Sequence, residues 1–126
     1  MIIDTDIFIW YMRGNKKAQQ AIHGVDPPTL SVVSYIELVQ GMRNKRELQA
    51  LRKAFANWQA RVVYINESIS AKAAMYVEHH YLSQSMQLAD ALIAATAVHY
   101  AEPLLTGNDK HYRKLGDLNI EAFRPE

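Results

Sequence analysis

Short apolar segments alternate with longer helical segments along this chain, and this alternation constrains its fold more than any other feature. Strands are predicted at residues 1–3, 29–33, 62–65, 104–106 and, at an edge, 119–123. Helices are predicted at residues 7–12, 16–23, 34–41, 45–58, 68–83 and 88–101. The pattern favours a parallel α/β sheet covered by helices on both faces. In such a sheet, strand carboxyl ends and helix amino ends share one edge, where ligands bind.

Composition limits the alternatives. The chain has 126 residues, of which 49% are hydrophobic, no cysteine and a formal net charge of +1. We therefore expect a single domain over residues 1–126, without disulfides and without a bulk charge that would drive it onto nucleic acid. The apolar run at residues 7–12 is far shorter than the ~20 residues of a membrane span. The sequence predicts a soluble, cytoplasmic protein.

Acidic side chains fall at the predicted binding edge although they are far apart in sequence. Asp4 ends the first strand, Glu37 lies in the first turn of the helix after the second strand, and Asp90 lies near the start of the alanine-rich helix. Asn108 and Asp109 follow the fourth strand. We expect these side chains to converge at one edge of the sheet.

Each acid also has a purely structural explanation. Asp4 is a good helix cap, Asp109 is another, and Glu37 completes a Ser-x-x-Glu capping box that would start a helix at Ser34. Asp90 is harder to explain in this way. It is the only charged residue of a helix whose apolar character predicts burial, and a buried carboxylate needs a partner.

Carboxylates that converge need a counter-ion, because each close pair repels by up to ~4 kcal/mol at an effective dielectric of about 20. The sequence places no lysine or arginine beside Asp4, Glu37 or Asp90. A divalent cation is the natural substitute, and oxygen ligands favour Mg²⁺ or Mn²⁺ over zinc. Such a site suits phosphodiester hydrolysis, because the ion activates water and stabilises developing charge.

Four motifs, spread over nearly the whole chain, resemble in order and spacing the PIN-domain ribonucleases of the VapC toxin type. They are Ile2-Ile3-Asp4-Thr5-Asp6, then Ser34-x-x-Glu37-Leu38 with Gly41, then Asp90-Ala91-Leu92-Ile93-Ala94-Ala95-Thr96-Ala97, and Leu105-Thr106-Gly107-Asn108-Asp109-Lys110-His111-Tyr112. Each motif is common by itself. Together and in this order they are fairly specific.

The resemblance implies a PIN-like three-layer α/β/α sandwich with a short-stranded parallel sheet. It implies a Mg²⁺- or Mn²⁺-dependent endoribonuclease that cleaves structured RNA, such as tRNA or rRNA, as the toxin of a type II toxin–antitoxin pair. The implied partners are a VapB-type antitoxin, the RNA substrate and a second copy of the chain. Asp4, Glu37 and Asp90 match the family's acidic positions. By that match Asp4 and Asp90 contact the metal directly, and Glu37 holds the metal or its water.

The fourth acidic position is ambiguous. Asn108 occupies the family's place for Asp or Asn, and the neighbouring Asp109 is an alternative source of negative charge, so we include Asp109 among the catalytic candidates. Thr106 matches a hydroxyl residue commonly found at that strand end. Asp6 departs from the more usual Asn or Ser and adds an acid near the site. All are expected near the substrate or the metal ligands.

Basic and apolar residues suggest where partners bind. Lys110 and Arg113 adjoin the predicted site edge, so they are the best candidates for contacts with RNA phosphate. The apolar stripe of Leu48, Leu51 and Phe55, which continues to Trp58, favours core packing. It also provides a surface for an antitoxin or a second subunit.

Two other protein classes begin with similar residues. A haloacid-dehalogenase-like phosphatase shares the Asp4-Thr5-Asp6 pattern, but this chain has Phe8 where that class has Thr or Val, and it is short for that fold. A response-regulator receiver needs an aspartate after its third strand, where this chain has Asn66. A PIN-like module that binds RNA or a partner without cleaving remains the alternative function.

Overall fold

Five short strands and seven helices make up the structure, a computed structural model that describes residues 1–126. The strands are β1 (Ile2–Ile3), β2 (Thr29–Ser31), β3 (Arg61–Val63), β4 (Leu104–Thr106) and β5 (Ile120–Ala122). The helices are α1 (Thr5–Met12), α2 (Lys16–His23), α3 (Val32–Gln40), α4 (Lys45–Asn57), α5 (Glu67–Gln84), α6 (Leu88–His99) and α7 (Asp109–Tyr112). All predicted strands and helices are confirmed, and α7 is an additional single turn.

All strand pairs are parallel. β1 pairs with β4, with Ile2 opposite Leu104 and Ile3 opposite Leu105, and β4 pairs with β5. β2 pairs with β3 and lies beside β1. Hydrogen bonds thus join β1, β4 and β5 in one sheet and β2 and β3 in another, and the two lie side by side in the order β3-β2-β1-β4-β5. The first strand of the chain is central, and its carboxyl end lies next to that of β4.

Successive residues of the central strands face opposite sides of the sheet, so they belong to two different hydrophobic clusters. Ile2 and Leu104 belong to the cluster formed with α5, α6 and α7. Ile3 and Leu105 belong to the cluster formed with α1 to α4, in which Phe8 is fully buried. Burying each of these side chains stabilises the fold by ~1.5–3 kcal/mol. Helices on both faces of a short-stranded parallel sheet confirm the predicted sandwich.

α1 and α3 each begin two residues earlier than the sequence predicts. The Ser31 hydroxyl accepts a hydrogen bond from the backbone N–H of Val33 at 3.1 Å, so Ser31 caps α3. Ser34 is fully buried inside the helix. The predicted capping box of Ser34 and Glu37 is therefore wrong, and Glu37 lies in the second turn of α3. α1 begins directly after Asp4, whose side chain caps it.

The alanine-rich helix α6 packs closely against α5. Ala91, Ala94 and Ala95 are fully buried, and their small side chains let the two helices approach. The first turn of α6, which contains Asp90, is thereby fixed next to the sheet. None of the seven helices combines the length and the apolar character that crossing a bilayer requires.

Candidate active site

Asp4 lies at the carboxyl end of β1. Its Oδ1 accepts a hydrogen bond from the backbone N–H of Thr5 at 2.8 Å, and its Oδ2 accepts one from the Thr106 hydroxyl at 2.7 Å. Thr106 ends β4, so strand pairing brings the two residues together. Asp4 is 4% exposed. Burial, with added repulsion from Asp6 and Asp90, raises its pKa to about 7 despite the hydrogen bonds.

Asp6 follows in the first turn of α1 and is held against the turn after β4. Its Oδ2 accepts a hydrogen bond from the backbone N–H of Gly107 at 2.9 Å, whereas its buried Oδ1 has no partner. Burial raises the pKa of Asp6, and Asp90 adds to the effect. A Cβ on Gly107 would lie 2.6 Å from Asp6 Oδ2. Only glycine lets the backbone approach this carboxylate so closely.

Asp90, in the first turn of α6, has both carboxylate oxygens occupied by consecutive residues of α7. His111 Nε2 lies 2.8 Å from Oδ2, and the Tyr112 hydroxyl donates to Oδ1 at 3.2 Å. Burial is the main reason that the pKa of Tyr112 lies far above its ordinary range, and the negative charges of Asp4 and Asp90 raise it further. The hydroxyl therefore stays protonated. Neither residue is among the predicted site residues. Because Asp90 is the only acid of an apolar helix, the sequence indicates that its carboxylate has a hydrogen-bonding partner. It does not indicate which residues supply that partner.

Glu37 joins the same end of the sheet through Thr5. The Thr5 hydroxyl donates to Glu37 Oε1 at 2.7 Å and is hydrogen-bonded to the Ser34 hydroxyl at 2.8 Å. The backbone N–H of Thr5 meanwhile binds Asp4. One residue therefore connects the carboxylates of the first strand and of α3, which are 33 positions apart in the chain. The structure brings Asp4, Glu37 and Asp90 to one region.

Asp109 is buried and differs from the other acids because arginines surround it. Arg124 donates to both of its oxygens, at 2.8 and 3.2 Å, and Arg113 donates to Oδ2. Hydrogen bonds from Arg124 are the main reason that the pKa of Asp109 falls to about 2. The neighbouring Asn108 is exposed, and its backbone N–H binds the Thr106 hydroxyl. Arg124 is not predicted from the sequence, because its contact depends on where the chain returns after β5.

Comparison with known families identifies this arrangement. A family model described as "PIN domain" matches residues 1–118. The chain is a member of the PIN domain family. This PIN domain is 24% identical over 124 residues to ribonuclease VapC1 of Methanocaldococcus jannaschii, covering 98% of this chain and 86% of that protein.

Solved structures share the PIN fold. A toxin–antitoxin complex from Klebsiella pneumoniae contains a chain that matches with a TM-score of 0.79 and 22% identity, over 99% of this chain and 97% of that chain. VapBC-1 from nontypeable Haemophilus influenzae matches with a TM-score of 0.78 and 23% identity, over 96% of each chain. The predicted PIN-like fold class is therefore confirmed.

The acids of this PIN domain fit a divalent cation by their chemistry. No lysine or arginine forms an ion pair with Asp4, Asp6 or Asp90, and His111 is the one potentially cationic contact. The unpartnered Oδ1 of Asp6 is an oxygen that the protein leaves unsatisfied, and oxygen donors suit Mg²⁺ or Mn²⁺. In the arrangement seen, no three acidic or histidine side chains converge closely enough to hold one ion. Both oxygens of Asp90 have hydrogen-bond partners on α7.

A polar groove of about 720 Å³ opens beside the carboxylates of the PIN domain. Asp6 lines it, and so do Lys110, His111 and Arg124. Arg113, the other predicted phosphate contact, binds Asp109 and does not line the groove. The groove therefore combines the ammonium group of Lys110 and the guanidinium group of Arg124 with the carboxylate of Asp6, which has no basic partner.

Proposed function

We propose that this PIN domain is a metal-dependent endoribonuclease that hydrolyses phosphodiester bonds in structured RNA, such as tRNA or rRNA. It acts as the toxin of a type II toxin–antitoxin pair in the cytoplasm. The observation that supports this most directly is the grouping of Asp4, Asp6 and Asp90 without a lysine or arginine partner, beside the polar groove that Lys110 and Arg124 help to line. The name of the M. jannaschii relative, ribonuclease VapC1, points to the same activity.

Asp4 and Asp90 are the proposed direct ligands of a Mg²⁺ or Mn²⁺ ion, and Glu37 holds the ion or its water. When bound, such an ion lowers the pKa of water and stabilises the charge that develops on the phosphate. Asp4 is prepared for this role because Thr5 and Thr106 fix both of its oxygens. The open Oδ1 of Asp6 adds a further acceptor next to the ligands.

Glu37 is the proposed acceptor of a proton from the attacking water. Its Oε1 is held by the Thr5 hydroxyl, and Ser34 in turn holds that hydroxyl. A fixed general base contributes ~10²–10⁴-fold to the rate of such a reaction. Glu37 is half-buried, and its second carboxylate oxygen has no hydrogen bond to the protein.

Positive residues at the groove bind the RNA phosphates. Lys110 supplies an exposed ammonium group, and Arg124 supplies a guanidinium group held by Asp109. Both oxygens of Asp109 are occupied by arginines. Asp109 therefore serves catalysis by positioning Arg124, and Arg113 supports the same ion-pair network. Asn108 also lines the groove, and its backbone N–H donates to the hydroxyl of the buried Thr106.

The proposed partners are a VapB-type antitoxin and a second copy of this chain. An apolar groove of about 700 Å³ lies between α1 and α4, lined in part by Phe8, Met12, Leu51 and Trp58. It suits an apolar antitoxin segment, in line with the toxin–antitoxin and VapBC complexes among similar structures. Light scattering of the purified chain, alone and with its antitoxin, tests both assemblies.

Mapping of cleavage sites tests the proposed activity. Purified protein is incubated with total tRNA and rRNA, with Mg²⁺, Mn²⁺ or EDTA, and new RNA ends are sequenced. We expect defined cleavage sites that EDTA removes and added Mg²⁺ or Mn²⁺ restores. Asp4→Asn and Asp90→Asn should abolish cleavage, whereas Asp26→Asn, at an exposed aspartate far from the site, should not.

Two outcomes would contradict the proposal. Turnover that persists in EDTA, or in both site variants, would remove the metal mechanism. RNA binding without any cleavage would favour the alternative function, a PIN-like module that binds RNA or a partner without cutting it.

A further inference from the structure

Two consecutive residues of α7 hold the carboxylate of Asp90 from two directions. His111 binds Oδ2 at 2.8 Å and Tyr112 binds Oδ1 at 3.2 Å. Asp90 lies on α6, more than twenty positions earlier in the chain. The single turn of α7 therefore determines the orientation of an acid on another helix.

The Tyr112 hydroxyl donates its proton to Asp90. Tyr112 is fully buried, so water does not compete for this hydroxyl. Asp4 and Asp90 repel each other, and the hydroxyl supplies a donor to Asp90 without adding charge. It has no part in the proton transfer and phosphate binding described above.

We propose that Tyr112 and His111 are positioning residues that fix the two oxygens of Asp90, so that α7 sets the orientation in which Asp90 meets a divalent cation shared with Asp4. This inference rests on the proposed function, because it gives α7 a role in the same site. Groups that orient metal ligands in this way typically account for 10–100-fold in metal affinity.

The test is the affinity of the protein for Mn²⁺ alone, measured by isothermal titration calorimetry at constant pH and without RNA. Tyr112→Phe removes one hydroxyl and keeps the buried ring. We expect Mn²⁺ to bind this variant about tenfold more weakly or worse. His111→Ala, at a partly exposed residue where little packing is lost, should also weaken binding.

Tyr76→Phe is the matched control. Tyr76 is 3% exposed and its hydroxyl donates to a carboxylate, Asp117 Oδ1, at 2.7 Å, outside the site. Its replacement removes the same kind of hydrogen bond and should leave Mn²⁺ affinity unchanged. Circular dichroism shows whether each variant is folded. If Tyr112→Phe does not fold, His111→Ala decides the question by itself.

RNA cleavage gives a second readout. In Tyr112→Phe the kcat should fall while the KM for RNA stays constant, because the residue is fully buried and does not line the groove. A general loss of packing would not lower kcat while leaving the KM for RNA constant.

The outcomes distinguish this inference from the proposed function. Wild-type Mn²⁺ affinity in folded Tyr112→Phe and in His111→Ala would overturn the inference alone. An equal loss of affinity in Tyr112→Phe and Tyr76→Phe would also overturn it. A wild-type protein that neither binds Mn²⁺ nor cleaves RNA would overturn both.

Discussion

The hydroxyl of Thr106 donates a 2.7 Å hydrogen bond to Oδ2 of Asp4, a residue 102 positions earlier in the chain. The backbone fixes the same pair, because the N–H of Asp4 donates to the carbonyl of Leu105 at 2.9 Å. A buried acid is thus held by a neighbouring strand through both its main chain and its side chain. Four predictions follow from this contact and its surroundings.

Thr106→Val should destabilise the protein by about 2 kcal/mol. The substitution keeps the side-chain shape, but it removes a donor to a buried charged group, and such bonds contribute ~1.5–3 kcal/mol. Urea unfolding measures the change. Thr96→Val is the control, since Thr96 is equally buried but its hydroxyl only binds the carbonyl of Leu92 within its own helix. Equal losses in the two variants would show that the Asp4 contact adds no stability.

Asp4→Asn should change how stability depends on pH in EDTA. The pKa of Asp4 is about 7 in the folded protein against an ordinary value of 3.8. The folded state therefore binds the proton more tightly than the unfolded chain, and the free energy of unfolding falls as pH rises from about 4 to about 7.

In the asparagine variant this part of the pH dependence should disappear, leaving the smaller part due to Asp6. Near pH 8 the variant should be more stable than wild type by ~1–3 kcal/mol, and near pH 5 the difference should shrink. Thermal unfolding at several pH values measures both. Parallel curves for the two proteins would contradict the raised pKa.

Gly107→Ala should destabilise the protein by ~1–3 kcal/mol, because the new Cβ meets the Asp6 carboxylate. Removal of that carboxylate should relieve the clash, so Gly107→Ala should cost at least about 1 kcal/mol less in an Asp6→Ala background. Gly116→Ala is the control, since its Cβ would meet nothing within 4 Å. Additive effects of the two site substitutions would contradict the contact.

Lys110→Gln should weaken RNA binding to a similar degree for all sequences. Loss of one phosphate contact reduces the slope of log affinity against log salt by ~0.7–1. Binding is measured by fluorescence anisotropy in the Asp4→Asn background, which prevents cleavage. Lys53→Gln, on the exposed side of α4, should leave the slope unchanged. An unchanged slope for Lys110→Gln would remove this residue from the RNA contact.

The sequence predicts those features of the fold and the site that depend on the local residue pattern and on sheet topology. Asp4 follows a strand and Asp90 lies in the first turn of a helix. Because parallel α/β sheets bring strand carboxyl ends and helix amino ends to one edge, the topology predicts that the two acids lie near each other. The start of α3 is not predictable in this way, since Ser31 and Ser34 are both good caps locally. The choice between them is made by tertiary packing, which buries Ser34 and links it to Thr5.

The sequence also does not predict which distant residues form hydrogen bonds with the acids of the site. The contact of Arg124 with Asp109 requires the path of the chain after β5, and the contact of Tyr112 with Asp90 requires the packing of α7 on α6. Only the contact of Arg113 with Asp109 follows the i,i+4 spacing that a helical segment makes predictable.

The central place of β1 also determines when the acids can meet during translation. Asp4 is synthesised 102 residues before Thr106, so its carboxylate waits for β4, the strand that pairs with β1, and for the Thr106 hydroxyl. A nascent chain that stops before β4 lacks the neighbour that orders its first carboxylate. Assembly of these groups is therefore postponed until β4 and α7 have been synthesised.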